Sequence, residues 1–224
     1  MSYFIIKQGE IAIENQRKFW LEERKKGIGA SDAACILGRN PYKTNVELWE
    51  EKTSIRQPED ISDKPYVKYG TEAEQYLREL FKLDFPEYDV TYDPYKMIAN
   101  LKNYPFLFAT LDGVLMEKDT GKKGILEIKT TEILNSVQLL KWKNCIPDNY
   151  YIQVLHQLLA TGYDFAIVKA QLKFSFDGLR LETRHYTIER NEVMQDMEYL
   201  LKKEVDFWKC VTEKKKPNLI LPSI

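Results

Sequence analysis

The chain has 224 residues, 44% of them apolar and 30% charged, which suits one sizeable folded unit and excludes a disordered chain. No apolar stretch approaches the roughly 18 residues needed to span a bilayer, and Met1 to Glu10 lacks the basic and then apolar pattern of a secretory signal. Lys plus Arg number 33 and Asp plus Glu 34, a formal net charge of −1, which excludes a uniformly basic surface but not a local basic groove. Ala12 to Lys26 reads as a helix, with Ile13, Phe19 and Trp20 as its apolar positions and Gly27 and Gly29 as its breakers. Ser31 or Asp32 is suited to cap a short helix through Leu37, because short oxygen side chains satisfy free N–H groups at a helix start. Gly38-Arg39-Asn40-Pro41 ends that helix, Asn45 to Lys52 forms another, and Ser54 to Pro65 is a polar loop.

Tyr69 to Leu83 is amphipathic, with Ala73, Tyr76, Leu77, Leu80 and Phe81 at helical spacing. A β-rich middle follows. Asp89 to Tyr92 and Lys96 to Ala99 are short strands, and Phe106 to Glu117 is a longer one. The turn Asp119 to Gly124 joins it to a strand over Ile125 to Thr131, as a hairpin. Helices are expected over Asn135 to Cys145 and Tyr150 to Thr161, then a buried strand over Asp164 to Phe174 and its partner over Leu179 to Ile188. Glu189 to Val211 closes the chain as a helix. The order predicts one α+β domain: a helical part to about residue 85, a β-rich part over about 86–190 and the last helix.

Three scattered cysteines, Cys35, Cys145 and Cys210, exclude a zinc ribbon or a four-cysteine iron–sulfur cluster within one chain. There is no HExxH, Walker A, GxGxxG or GxSxG motif. Any catalysis therefore rests on carboxylates, lysine and a hard cation. Leu111-Asp112-Gly113-Val114 and Leu126-Glu127-Ile128-Lys129 are the informative segments. Alternate residues of a strand share a face, so Glu127 and Lys129 point the same way, on an apolar strand. Partly buried charges need partners, and a hairpin brings Asp112 across to them. Two carboxylates at one point suit Mg²⁺, with Mn²⁺ as a substitute, and such an ion lowers the pKa of its water and stabilises charge on a phosphodiester. Lysine beside that water orients it or takes its proton. The ordinary reading of the same residues is a structural ion pair and a turn aspartate.

Asp112 followed by Glu127-x-Lys129 resembles the PD-(D/E)XK nuclease signature, with Leu111 where that signature often has proline. Trp20 to Arg24, Gly29-Ala30-Ser31 and Gly38-Arg39-Asn40-Pro41-Tyr42 resemble the N-terminal part of the YqaJ / lambda-exonuclease family of viral recombination nucleases. Gly70-Thr71-Glu72-Ala73-Glu74 resembles its GxxxE helix, and Tyr151-x-Gln153 with His156 and Gln157 resembles its late glutamine-containing helix. The match runs from about Trp20 to about Leu172 in the expected order.

The resemblance implies a restriction-endonuclease-like core, a central mixed sheet flanked by helices. It implies that Asp112, Glu127 and the Ile128 carbonyl are metal ligands, with Glu74 reaching the metal directly or through water. Lys129 would orient or activate the attacking water, Gln153 would hold that water or the DNA backbone, and Gln157 could share that role. Arg24, Ser31 and Thr110 would line a pocket for the 5′ phosphate of the digested strand. Trp20 is expected in the core and Glu72 in solvent. The implied activity is 5′-to-3′ digestion of linear double-stranded DNA, as a ring-shaped homotrimer working with a single-strand annealing protein, in the bacterial cytoplasm and encoded by a phage or prophage. The same core serves restriction-like endonucleases and RecB-like single-strand nucleases. An inactive DNA-end-binding protein is the alternative of another class, which the intact Asp112, Glu127 and Lys129 disfavour.

Overall fold

The computed structural model describes residues 15–175 and 180–222. The expected helix start at Ala12, with Ile13, and the expected strand start at Leu179 lie outside the described residues. The elements in order are helix α1 (15–24), β1 (Ile28–Gly29), α2 (Ala30–Ile36), α3 (Asn45–Lys52), α4 (Pro65–Asp84), β2 (Tyr88–Thr91), β3 (Leu107–Phe108) and β4 (Gly113–Glu117). Then come β5 (Lys123–Ile133), α5 (Ser136–Leu140), α6 (Asp148–Thr161), β6 (Phe165–Phe174), β7 (Arg180–Glu189) and, after one 3₁₀ turn, α7 (Met194–Thr212).

Among the described residues, five strands form one mixed sheet in the order β2-β4-β5-β6-β7. Only β5 and β6 run parallel; the other neighbours are antiparallel. Parallel neighbours need a long crossover, and α5 and α6 supply it. Strand alternation sorts the apolar residues onto two faces. Leu126, Ile128, Phe165 and Ile167 meet Leu77 and Phe81 of α4 on one face. Ile125, Ile133, Val168 and Ala170 meet Val154, Leu155 and Leu158 of α6 on the other. The sheet is thus covered by helices on both sides, as the α+β expectation requires.

Two local features set where the site lies. Proline at the first position of α4 costs no helical hydrogen bond and starts the helix before Tyr69. One turn on, a Cβ at Gly70 would stand 3.2 Å from Thr130 Oγ1, so the glycine lets α4 pass close over β5. Glu74 follows a turn later on the same helix. On the opposite face, Gly162 at φ 70 closes α6, its N–H donating to the Leu158 carbonyl.

Several expectations need correction. The strand expected over Phe106 to Glu117 is two strands, because β3 pairs with distant β1 and the chain leaves the sheet at Ala109 to Asp112. Lys96 to Ala99 contributes one isolated bridge, Ile98 to Ala109. The helix expected over Asn135 to Cys145 is only α5, capped by the Asn135 side chain accepting from the Gln138 N–H. Neither Ser31 nor Asp32 is the N-cap of α2: Gly29 is, and Asp32 reaches back to accept from its N–H at 3.1 Å. Trp20 is not in the core but lines a cleft, and Phe19 is 67% exposed.

Candidate active site

The site forms where β4 separates from β5. Gly113 pairs with Leu126, and Asp112 lies just before the last paired residue. Beyond Leu126 no β4 carbonyl remains to accept from β5. The Asp112 carboxylate takes that place, its Oδ2 accepting from the Ile128 N–H at 2.8 Å. The N–H and C=O of one strand residue point to the same side, so the Ile128 carbonyl also faces Asp112. Two of the expected groups, the Asp112 carboxylate and the Ile128 carbonyl, therefore meet where the backbone pairing of β4 and β5 ends.

Glu127 and Lys129 share the face that looks at α6, as alternation predicts. Lys129 Nζ lies 2.5 Å from Glu127 Oε1, and the Glu127 side chain is only 2% exposed. A carboxylate so buried needs donors. Gln153 Nε2 donates to its Oε1 at 2.6 Å and Gln157 Nε2 to its Oε2 at 2.5 Å. The two glutamines stand one turn apart on α6, on one helix face. Gln157 Oε1 is buried with no partner among the described residues, so this amide gives one donor and keeps one acceptor unused. Lys129 Nζ also stands 5.0 Å from the centre of the Tyr150 ring. Burial presses the Lys129 ammonium towards its neutral form, but Glu127 and then Asp112 outweigh this and hold it above the ordinary lysine range.

The carboxylates strain one another. Burial raises the Asp112 pKa well above the usual value, and Glu127 and Glu74 raise it further. Glu74 is raised by burial and then by Glu127. Glu72, two residues earlier, is exposed as expected. A residue the sequence reading did not single out contributes here. Arg78 is 6% exposed, and its Nε donates to the Asp112 carbonyl at 2.6 Å. Its guanidinium carbon lies 3.6 Å from the centre of the Tyr92 ring. The signal was available: an arginine one turn after Glu74, between Leu77 and Phe81, on the buried face of an amphipathic helix.

A cleft of about 570 Å³ opens in front of these groups, lined by Asp112, Glu74, Gln153, Thr110, Arg24 and Ser31 among others. Arg24 Nη2 donates to Ser31 Oγ at 2.9 Å, and the guanidinium lies 4.6 Å from the centre of the Trp20 ring. Trp20 Nε1 donates to Thr110 Oγ1 at 3.1 Å. Behind Arg24, Lys52 donates to its carbonyl at 2.9 Å and pairs with Asp32 at 2.7 Å. Burial pushes the Asp32 pKa up, but Lys52 and Arg24 more than offset it and hold this carboxyl below its usual range. Lys52 and Asp32 are thus buried supports for Arg24, another contribution the sequence reading missed. All the expected site residues gather in or directly behind one cleft.

The YqaJ-like viral recombinase domain matches residues 19–164, a span holding every one of these side chains. The chain belongs to that family. The uncharacterized protein YqaJ of Bacillus subtilis (strain 168) is 33% identical over 206 residues, a match covering 90% of this chain and 59% of that protein. The YqaJ-like domain also resembles solved exonuclease structures in fold. The alkaline exonuclease LHK-Exo from Laribacter hongkongensis superposes with a TM-score of 0.61 at 17% identity, over 88% of this chain and 96% of that one. The same enzyme in complex with dAMP gives 0.58 at 15% identity over the same shares. A phage-related exonuclease from Haemophilus somnus 129PT gives 0.55 at 13% identity, over 84% and 96%.

The donor set of this YqaJ-like site fits a hard divalent cation. Among the described residues no group of three His, Cys, Asp or Glu side chains is arranged to hold a metal ion by itself. Mg²⁺ does not need one, since it binds through one or two carboxylates and keeps waters or phosphate oxygens in its other positions. Burial raises Asp112 most, and the repulsion from Glu127 and Glu74 that adds to it is what a bound dication would relieve. Among the described residues no helix is long and apolar enough to cross a membrane.

Proposed function

We propose that this chain is a metal-dependent deoxyribonuclease that digests one strand of linear double-stranded DNA from its 5′ end. It would release mononucleotides and leave a 3′ single strand for recombination by annealing. The observation that carries this reading is the sharing of one cleft by an acidic cluster and an arginine–serine pair. Asp112, Glu127 and the Ile128 carbonyl would hold Mg²⁺, with Glu74 acting directly or through water; Mn²⁺ would serve as well. When bound, the ion supplies an activated water and positive charge against the phosphodiester.

The chain's own groups do the rest. Gln153 and Gln157 fix both oxygens of Glu127. Glu127 and Asp112 hold Lys129 as an ammonium in the metal-free site, so it would donate to the attacking water or the phosphate. Arg24 offers a planar set of donors to the 5′ phosphate, joined by the Ser31 and Thr110 hydroxyls. Hydrolysis breaks the P–O3′ bond of the terminal nucleotide, which leaves with a free 3′ hydroxyl. The next nucleotide then carries a 5′ phosphate, and the pocket meets the same group in each cycle.

The ring-shaped homotrimer, the single-strand annealing partner and the phage or prophage setting in a bacterial cytoplasm belong to the same proposal and rest on the family. The test is nucleotide release from a 5′-phosphorylated linear duplex in Mg²⁺. Release should stop on chelation and fall at least about a hundredfold in Lys129→Gln, as for a preorganised charge aimed at the reacting group. Release that survives in Lys129→Gln or Asp112→Ala would overturn the proposal. Light scattering should give the mass of three chains; a monomer at working concentration would contradict the ring.

A further inference from the structure

The cleft has a wall that the metal and phosphate groups leave unused. Tyr92, Pro94 and Tyr95 line it on the side of Asp112. Tyr92 directly follows β2, whose last residue, Thr91, pairs with Val114, two residues after Asp112. The Tyr92 ring therefore leaves the sheet beside the acidic cluster. One of its faces is taken: the Arg78 guanidinium sits 3.6 Å from the ring centre, and Arg78 is itself tied to the Asp112 carbonyl at 2.6 Å. Tyr92 is still 45% exposed, so its exposure falls on the opposite face and the ring edge. The result is a ring braced from behind by a buried cation, with its free side available to the cleft.

Tyr95 extends the wall at a conformational cost. Asp93 to Lys96 is a turn with Pro94 at its second position, closed by the Lys96 N–H donating to the Asp93 carbonyl at 3.3 Å. Its third position calls for a left-handed residue, usually Gly or Asn. Tyr95 stands there at φ 68. Its ring centre lies 5.7 Å from that of Trp20, the same ring that Arg24 contacts. A bulky side chain is thus kept where the backbone favours none, and strain of this kind concentrates where a surface has a task.

We infer that Tyr92, braced by Arg78 and flanked by Tyr95, is a stacking platform for the nucleobase of the 5′-terminal nucleotide. The inference rests on the exonuclease reading. That nucleotide carries a phosphate on each side. With its 5′ phosphate at Arg24 and Ser31 and its scissile phosphodiester at Asp112, its base has to lie in the same cleft. Every base offers a π-face, so an aromatic wall accepts any of the four, which an end-digesting enzyme requires. Arg78 acts as a positioning residue through Tyr92 and the Asp112 backbone.

The test crosses two changes. Wild type and Tyr92→Leu are compared on linear 5′-phosphorylated duplexes whose 5′-terminal nucleotide carries a base or is abasic. Tyr92→Leu should raise KM about tenfold on the natural end, in line with measured base–aromatic stacking, with a smaller effect on kcat. On the abasic end it should change KM less than about twofold, because there is no base to lose. Tyr92→Phe, which keeps the ring, should restore most of the loss. A 5′-terminal 2-aminopurine should be quenched on binding to wild type and not to Tyr92→Leu. Equal losses on both ends, or no quenching by wild type, would overturn the platform and leave the exonuclease reading standing. A wild type that releases no nucleotide from either duplex would overturn that reading and the platform with it.

Discussion

Replacing Asp112 by asparagine should stabilise the metal-free protein and abolish its response to Mg²⁺. Asp112 is raised well above the ordinary carboxyl range by burial, then by Glu127 and Glu74. Its one strong contact, accepting from the Ile128 N–H, is kept by the asparagine carbonyl oxygen. The substitution therefore removes a crowded negative charge without orphaning a donor. Relief of this kind at a destabilised functional site is worth about 1–2 kcal/mol, or roughly 2–8 °C in Tm for a chain of this size. A folded pKa above the unfolded value means that ionised Asp112 costs stability, fully so above the folded pKa. The cost fades as pH falls from there towards about 3.9, the unfolded value. The gain in Asp112→Asn should therefore be greatest near neutrality and shrink towards acid. Mg²⁺ at tenfold excess over its Kd should raise the wild-type Tm by about 1.4 kcal/mol worth of stability and leave the variant unmoved. Thermal unfolding with chelator and with Mg²⁺, across pH, reads all three. A variant less stable than wild type in chelator, or one still stabilised by Mg²⁺, would refute the crowding argument.

Three further outcomes follow from other parts of the molecule. His156 and Glu204 form a fully buried pair at 2.6 Å, and His156 Nε2 donates to the Phe108 carbonyl at 2.9 Å; burial lowers the His156 pKa, but Glu204 and then the Phe108 carbonyl outweigh it and raise it above 6.5. The pair's stabilisation is then complete below pH 6.5 and lost as pH rises through the folded value, so Glu204→Gln should cost about 1.5–3 kcal/mol at pH 6 and progressively less in alkaline solution, read by denaturant titration. Arg24→Ala should remove any preference for 5′-phosphorylated over 5′-hydroxyl ends in a competition digest; a preference kept intact would place phosphate binding elsewhere. Lys169 is 1% exposed and makes one ion-pair contact among the described residues, at 3.2 Å to half-exposed Asp84, so Lys169→Met should be neutral or stabilise by about 1 kcal/mol, read as Tm, and a loss above about 2 kcal/mol would show the ammonium to be better paired than its geometry indicates.

Much of this was legible in the residues. The periodicity of α4, α6 and α7 and the apolar runs of β5 and β6 follow from local pattern, but α7, expected from Glu189, begins only at Met194, because Glu189 still pairs with Phe165 as the last residue of β7. The pairing of Glu127 with Lys129 follows from strand alternation alone. What was not legible depends on distant partners. Phe106 to Glu117 is apolar enough for one strand, but β1, some eighty residues earlier, captures Leu107 and Phe108 and forces the break that frees Asp112. Trp20 has a core residue's composition, yet Thr110 holds its indole at the cleft. Gln157 was expected only to share in holding the water or the DNA backbone, and its grip on the second Glu127 oxygen shows only once that carboxylate is buried beside it. Arg78 was overlooked because one charge on a helix is usually solvated, and only its neighbours show that this one is not.

The central claim is that one cleft holds both the hydrolytic cluster and the end of the strand. Its most direct test is digestion, in Mg²⁺, of a linear duplex with 5′ phosphates beside the same sequence as a covalently closed circle, with products resolved by size. The account predicts single nucleotides released from the 5′ end of the linear form and an untouched circle. Nicks or internal cuts in the circle, or products that begin at the 3′ end, would contradict it.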